Sequence, residues 1–289
     1  MNRFTVGIVG LGLIGASFAK AFTTNASNVR VLACNRTQKT VQRAISEGVI
    51  HGELTDVSIG ECDLIILSLY PEKAASFLRE KESFIKPGAI VTDCCGTKRL
   101  ICSVGFALAR QSAKYTFIGA HPMAGVEYSG YDYSRADMFK GASLILVPDP
   151  AKDPAVTETE LGRLKTMFEP GMFGRFVVTT PEDHDARIAY TSQMAHVVSN
   201  CYIKSPTSIG CHGFAGGSFR DLTRVARLNP DMWTELFLAN RDNLTREIDS
   251  LTSELTKMSD ALKQGDAETL HKLLEDGVRM KEESDRCEE

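Results

Sequence analysis

The sequence predicts an α/β chain in two parts, a doubly wound parallel sheet followed by an all-helical domain. Three observations predict it. Apolar runs of strand length alternate with amphipathic helical segments as far as about Thr180. Most of those runs are continuously apolar, as strands are when both faces of a parallel sheet are covered. After Thr180 no convincing strand follows and the pattern is helical. The implied division is residues 1–178 and residues 179–289.

Residues 4–9 (FTVGIV) read as the first strand, GLGLIG as a tight turn and ASFAKAF as an amphipathic helix. NVRVLACN (28–35) is the second strand. TQKTVQRAISEG is the second helix, ending at Gly48, a natural left-handed residue after a helix. CDLIILSLY, PEKAASFLRE, GAIVTDC, KRLICSVGFALARQ and YTFIGA continue the alternation, and ASLILVP and GRFVVTT add two strands around a helix at TETELGRLKTMF. PEDHDARIAYTSQMAHVVSNCYIK reads as one helix with Pro181 near its start. SFRDLTRVARL is a shorter one, opened by Ser218 with Asp221 at capping-box spacing. A long helix begins at Asn229-Pro230, cap then first-turn proline, and runs to about Gly265. Along it Leu244, Ile248, Leu251, Leu255, Met258 and Leu262 form a seam for another helix. Intramolecular packing and a homodimer interface fit that seam equally.

The 289 residues are 43% hydrophobic and 24% charged, a globular composition, and the net charge of −4 provides no basic field for nucleic acid or anionic lipid. No signal peptide is recognisable, and LIILSLY (64–70) is far too short to span a membrane. The eight cysteines include no CxxC pair, and Cys94 and Cys95 are neighbours. Reduced thiols in a cytoplasmic protein without a metal are the expectation.

Gly10, Gly12 and Gly15 form GxGxxG between a predicted strand and helix, which makes the sheet Rossmann-type. Gly10 allows the tight turn, Gly12 lets the backbone approach a pyrophosphate, and Gly15 permits close helix–strand packing. Leu13 and Ile14 then open a helix whose free N–H groups face the phosphates. After the second strand an acid would hold the ribose hydroxyl of NAD, but the chain has Asn35, Arg36 and Thr37, with Lys39 nearby. A guanidinium beside a hydroxyl and an amide suits a 2′-phosphate, so NADP is expected over NAD.

Arg220, Arg224 and Arg227 fall on one predicted helix face after the glycine-rich GFAGG, a setting for a carboxylate. His196 lies four residues after Ser192 on the preceding helix. His184, in EDHD, reads as a helix-start residue, and His51, His212 and His271 have no supporting context. Lys98 follows the fifth strand, at the sheet edge where open α/β folds bind ligands.

With GLGLIG, TDCCGTK (92–98), GAHPMAGVEYSG (119–130), DHD (183–185) and GGSFRDLTRVARLNPDMW (216–233) in that order, the chain resembles the prephenate/arogenate dehydrogenases of tyrosine biosynthesis. The resemblance implies a nucleotide-binding domain, a helical dimerisation domain and oxidative decarboxylation of a cyclohexadienyl substrate. It implies that His121 accepts the hydrogen bond or proton of the 4-hydroxyl, that Arg224 binds the side-chain carboxylate, and that His196 lines the pocket. Glu127 and Asp221 are implied as ion-pair partners near Arg224; Tyr128, Arg220 and Gln193 are further substrate-side candidates. Thr97 and Lys98 are catalytic candidates, and Ser68, Leu69, Cys95 and Gly96 complete the expected cofactor contacts.

Two positions depart from the family pattern. Gly96 stands where a serine that would orient the histidine is expected, with Thr97 as the nearest hydroxyl, and Gln193 replaces the first histidine of the run that ends at His196. The choice between prephenate and arogenate therefore stays open. No room remains after the helical domain for a regulatory domain or a fused mutase, so a monofunctional enzyme is expected. The alternatives are another NADP-dependent enzyme, such as a 3-hydroxyacid dehydrogenase or imine reductase, and a non-catalytic NADP sensor. The first would leave HPMAG without a purpose, and the pairing of His121 with Arg224 argues against the second.

Overall fold

The computed structural model describes residues 4–126, 128–211 and 213–286. Its strands are β1 (Phe4–Val9), β2 (Val29–Cys34), β3 (Gly52–Glu53), β4 (Leu64–Leu67), β5 (Ile90–Asp93), β6 (Thr116–Pro122), β7 (Ser143–Val147) and β8 (Arg175–Val178). Helices α1 (Leu13–Asn25), α2 (Gln38–Ser46), α3 (Asp56–Ile59), α4 (Pro71–Lys81), α5 (Arg99–Ser112) and α6 (Pro154–Met167) lie between strands. The strands form one sheet in the order β3-β2-β1-β4-β5-β6-β7-β8. Successive residues of a strand face opposite sides, so Leu64 and Ile66 enter one apolar core while Ile65 and Leu67 enter another across the sheet. That two-sided burial is why β4 reads as an unbroken apolar run.

The sheet departs from an all-parallel expectation at one place. β7 pairs antiparallel with β6, with His121 opposite Ile145, before β8 pairs parallel with β7. Among its described residues, the connection from 123 to 142 contains one short 3-10 turn at Tyr131–Tyr133 and no crossover helix. A parallel return needs such a crossover; a loop suffices for an antiparallel one.

Helices α7 (Pro181–Ile188), α8 (Ala195–Tyr202), α9 (Gly217–Thr223), α10 (Pro230–Ala239), α11 (Arg241–Gln264) and α12 (Ala267–Arg286) follow. Thr180 caps α7 by accepting from the Asp183 N–H, with Pro181 in the first turn. The single helix expected over 181–204 is interrupted by a π-helical turn at Ala189–Met194. The wider turn shifts the face on which Ser192 and His196 were expected to align.

The long helix expected from Pro230 to Gly265 is two helices. Asn229 caps the first as expected, its side chain accepting from the Met232 N–H at 3.1 Å. At Asn240 the backbone leaves helical geometry (φ −124°, ψ 24°). The buried Asn240 amide donates to the Asp185 carbonyl and to Gln193 Oε1, at 2.7 and 2.9 Å, and these bonds fix the break. The second helix ends at Gly265 with φ +65°, as a left-handed cap.

The Ser218–Asp221 capping box does not form, because α9 already starts at Gly217, with Gly216 as an uncapped N-cap. The expected common face of three arginines is lost too. Arg220 is in the last turn of α9, Arg224 opens a 3-10 turn, and Arg227 has extended backbone beyond it. Helix α12 was not anticipated, although Leu270, Leu273, Leu274 and Val278 recur at helical spacing. Among the described residues no helix is long and apolar enough to cross a membrane.

Candidate active site

The strand order reverses between β1 and β4, and their carboxyl ends build the first half of the site. Gly10 has φ +98°, and a Cβ there would lie 2.4 Å from the Ser68 carbonyl oxygen. A Cβ on Gly15 would lie 1.9 Å from the Gly10 carbonyl oxygen, so turn and helix start touch through glycines. Gly12 is different: a Cβ there would meet no protein atom within 4 Å. No described residue demands a glycine at that point, which fits a bound phosphate group as the neighbour that does. Gly12 also precedes α1 with no side-chain cap, so the amides of Leu13, Ile14 and Gly15 face outward as an anion site.

Asn35 holds this loop, its Oδ1 accepting from the Leu11 N–H at 3.2 Å. Arg36, Thr37 and Lys39 are all exposed past the end of β2. No ion pair or hydrogen bond among the described residues engages the side chains of Arg36 or Lys39. Ser68 and Leu69 continue from β4, and the Leu69 carbonyl accepts from the Cys95 thiol at 3.4 Å. Burial pushes the Cys94 and Cys95 thiols up, so neither is a ready thiolate.

The second half of the site lies where β6 outruns β5. The β5–β6 ladder pairs residues only as far as Thr92 with Ile118, so His121 projects past the carboxyl edge, held on one side by β7. Its Nδ1 lies 2.9 Å from Nε2 of His184, and Nδ1 of His184 lies 2.8 Å from Oδ1 of Asp185. His184 and Asp185 are 1% and 0% exposed, so the two side chains behind His121 are sealed from water. Asp185 also accepts from the Lys98 and Arg99 backbone N–H groups at 2.6 and 3.0 Å, and from Arg99 Nε at 3.2 Å. It thereby caps α5 from the helical part of the chain.

Beneath this chain Lys98 and Asp93 form an ion pair in which both side chains are wholly buried. Asp93 also accepts from the Cys95 N–H at 2.8 Å and the Ala120 N–H at 3.1 Å, which pins the β5 loop to the strand that carries His121. Burial pushes the Lys98 ammonium down, but Asp93 chiefly outweighs this, and its pKa stays above the ordinary value. Burial holds His121 well below 6.5, reinforced by His184 and by the Lys98 charge. His184 is depressed by burial, which Asp185 offsets only in part. Burial alone would raise Asp185; its bonds from His184, Arg99 and Lys98 instead hold it below the usual carboxylate range. The arrangement presents a neutral imidazole at the sheet edge, where an acceptor for a hydroxyl proton is useful.

Gly96 and Thr97 lie in the same loop. A Cβ on Gly96 would lie 3.2 Å from Cδ2 of Leu236 in α10. Thr97 is 2% exposed, and its Oγ1 is buried with no hydrogen-bond partner.

The helical part supplies a separate cluster. His196 packs edge-on against Trp233 with ring centroids 4.0 Å apart, its Nδ1 lies 3.4 Å from the Val225 carbonyl oxygen, and the neighbouring Arg224 charge adds to the burial that lowers its pKa. Arg220 is exposed and donates to the Ala215 carbonyl at 3.2 Å; Asp221 is exposed as well. Tyr128 stacks on Tyr133 at 4.8 Å on the surface. Gln193 is buried within the protein: its amide donates to the Leu236 carbonyl at 3.2 Å and accepts from Asn240. That places it in the network tying α7, the π turn and α10 together. Glu127 lies outside the described residues.

Asp93 and Asp185 are given no site role by the sequence, and His184 reads there only as a helix-start residue within the DHD motif. An acid ending a buried strand five residues before a lysine was one available signal. Another was a histidine between acids, four residues before Ile188 on the inner face of a helix.

The sheet order and the open glycine loop at its reversal point define a nucleotide-binding protein of the doubly wound class. Family models for the prephenate dehydrogenase nucleotide-binding domain and the prephenate dehydrogenase dimerization domain match residues 18–169 and 180–276. The chain belongs to the prephenate dehydrogenase family. It is 30% identical over 280 residues to a prephenate dehydrogenase of Bacillus subtilis (strain 168), covering 93% of this chain and 74% of that protein. It is 28% identical over 275 residues to a cyclohexadienyl dehydrogenase of Zymomonas mobilis, covering 92% and 90%. Among solved structures, Synechocystis arogenate dehydrogenase superposes with a TM-score of 0.77 at 26% identity, covering 96% of this chain and 99% of that one. The prephenate dehydrogenase of A. aeolicus, in complex with hydroxyphenyl propionate and NAD+, shares the fold with a TM-score of 0.83 at 24% identity, covering 98% and 99%.

Proposed function

We propose that this protein oxidatively decarboxylates prephenate to 4-hydroxyphenylpyruvate, or arogenate to tyrosine, using NADP, and that it works as a homodimer through its helical part. The observation that carries the reading is a neutral, partly exposed His121 at the carboxyl edge of the sheet, on the strand next to the loop after β5. The family membership and the relatives named prephenate, arogenate and cyclohexadienyl dehydrogenases support the substrate class. The open Gly12 amide cradle supports a dinucleotide, held by Gly10–Gly15 with Ser68, Leu69, Cys95 and Gly96 around it.

A nicotinamide held by the Gly10–Gly15 loop would supply the acceptor for the hydride that leaves C4 of the substrate ring. His121 accepts the hydrogen bond or proton of the 4-hydroxyl as carbonyl character develops there. The ring carboxylate leaves as carbon dioxide, its bonding electrons complete the aromatic ring, and the proton returns to the phenol oxygen. Arg224 holds the side-chain carboxylate, and His196 and Trp233 form an apolar wall with one polar edge. Lys98 and Asp93 position the loop and strand rather than touch substrate, since both are fully buried. The exposed apolar side chains Leu255, Leu262, Leu274 and Val278 on α11 and α12 suit burial against a second copy, and the dimerization-domain match supports that assembly.

The test is NAD(P)H formation by the purified protein with each substrate and each cofactor. Turnover of neither substrate with either cofactor would remove the proposal. The cofactor choice has its own variant. Arg36→Ala should raise KM for NADP about tenfold or more, the loss of one charge-assisted contact to a 2′-phosphate, and leave NAD nearly unaffected. Equal losses for the two cofactors would contradict a 2′-phosphate contact.

A further inference from the structure

We propose that His184, itself oriented by Asp185, determines which nitrogen of His121 carries the proton, so that both act as positioning residues for the site. The inference rests on the dehydrogenase reading for its kinetic consequence but not for its structural one. It follows from donor and acceptor capacities alone. An ionised carboxylate only accepts, and Asp185 accepts two backbone N–H groups and Arg99 Nε in addition to His184. The hydrogen between His184 and Asp185 therefore sits on His184 Nδ1. A neutral His184 then has only a lone pair on Nε2, and this faces His121 Nδ1 at 2.9 Å. His121 must donate from Nδ1, so its lone pair is on Nε2. The opposite assignment would set the His184 Nδ1 lone pair against a carboxylate oxygen at 2.8 Å.

The depressed pKa values of both rings and of Asp185 agree with this protonation pattern. The consequence is directional. When His121 Nε2 takes the hydroxyl proton, the charge formed is stabilised through His184 by the Asp185 carboxylate, the role an acid plays behind a catalytic histidine, with one imidazole interposed. In that proton transfer the O–H bond breaks as an N–H bond forms at Nε2, and the proton stays there until it returns to the phenol oxygen. The arrangement also accounts for Gly96. A serine there would bring its Cβ within 3.2 Å of Leu236, and the histidine is already oriented from its other nitrogen. Because His184 and Asp185 belong to α7 while Lys98 and Arg99 begin α5, the tautomer is set only when the helical part docks on the sheet. Arg99 strengthens that docking by pairing with Asp242 of α11 at 2.6 Å.

The experiment uses full-length protein labelled with 15N-histidine, with the His121 signals identified by their loss in His121→Asn. Wild type should show His121 protonated at Nδ1 and bare at Nε2, without any substrate, so this arm stands even if no dehydrogenase activity exists. His184→Leu should shift His121 towards the Nε2-protonated form. It should also lower kcat about 10–100-fold, the scale of a misplaced reacting group, with KM changed less than about twofold. His184→Gln places an amide oxygen near the lost Nε2 as a replacement acceptor for the His121 N–H, and should restore kcat to within about threefold of wild type. The proposal is overturned by an Nε2-protonated His121 in wild type. It is equally overturned by a folded His184→Leu with unchanged tautomer and kcat, or by equal kcat losses in the Leu and Gln variants. If His184→Leu does not fold, the wild-type spectrum and the Gln variant decide the matter in the same way.

Discussion

Replacing His121 with Asn should lower kcat by about 10²–10⁴-fold while KM for the cyclohexadienyl substrate changes little. An acceptor that acts as carbonyl character develops contributes to the transition state and hardly to the ground state, so its loss falls on kcat. Arg224→Ala should behave the other way, raising KM with the smaller effect on kcat, because a carboxylate clamp holds both states alike. The pH dependence follows from the sign of the shift. His121 is depressed below 6.5 by burial, then by His184 and Lys98, so it stays unprotonated as pH falls through 6.5. The acid limb of kcat/KM should therefore lie below pH 6.5. Stability carries the same sign: below about pH 6.5 the unfolded chain takes up protons that the folded rings of His121 and His184 refuse, so their contribution is complete above that pH and declines below it. Steady-state kinetics from pH 5 to 8 check this, and a His121→Asn variant with normal kcat would end the acceptor role.

The largest stability effect is expected from Lys98→Met, a loss of about 3–5 kcal/mol. Methionine matches the volume, so packing changes little, but Asp93 keeps only the Cys95 and Ala120 amides as donors in a fully buried place. Breaking a sealed ion pair from one side leaves a charge with nowhere to go, which is why the loss exceeds that of an exposed pair such as Lys257–Glu254, at about 0–1 kcal/mol. Urea titration should show a lower midpoint with an unchanged slope. A midpoint shift no larger than that of Lys257→Met would mean that Lys98 is not holding Asp93. The variant should also lose activity, since Asp93 joins the β5 loop to the His121 strand.

The parts legible in the sequence are those written in local spacing. GLGLIG between a strand and a helix located the dinucleotide loop, because a tight turn, a close approach and a helix contact each need a glycine at a set position. The unbroken apolar run of β4 declared a sheet covered on both faces, and Asn229-Pro230 and Gly265 marked helix ends through their own backbone preferences. HPMAGVEYSG identified His121 through its place after FIGA and through its resemblance to a known motif.

Tertiary structure decided what depends on residues distant in the chain. His121 meets His184 across 63 positions and the Lys98 amide meets Asp185 across 87, and no periodicity in either segment encodes the partner. His184 reads locally as an ordinary helix-start residue until α7 docks on α5. The break at Asn240 is decided the same way, by buried acceptors at Asp185 and Gln193 that override a helical pattern on either side. The antiparallel β7 reflects a missing crossover helix rather than any feature of its own residues. Sequence by itself determined the sheet, the nucleotide loop and the histidine at its edge, because each follows from short-range geometry. Only the packed molecule decided how that histidine is protonated, because a hydrogen bond's direction depends on every donor and acceptor that burial brings together.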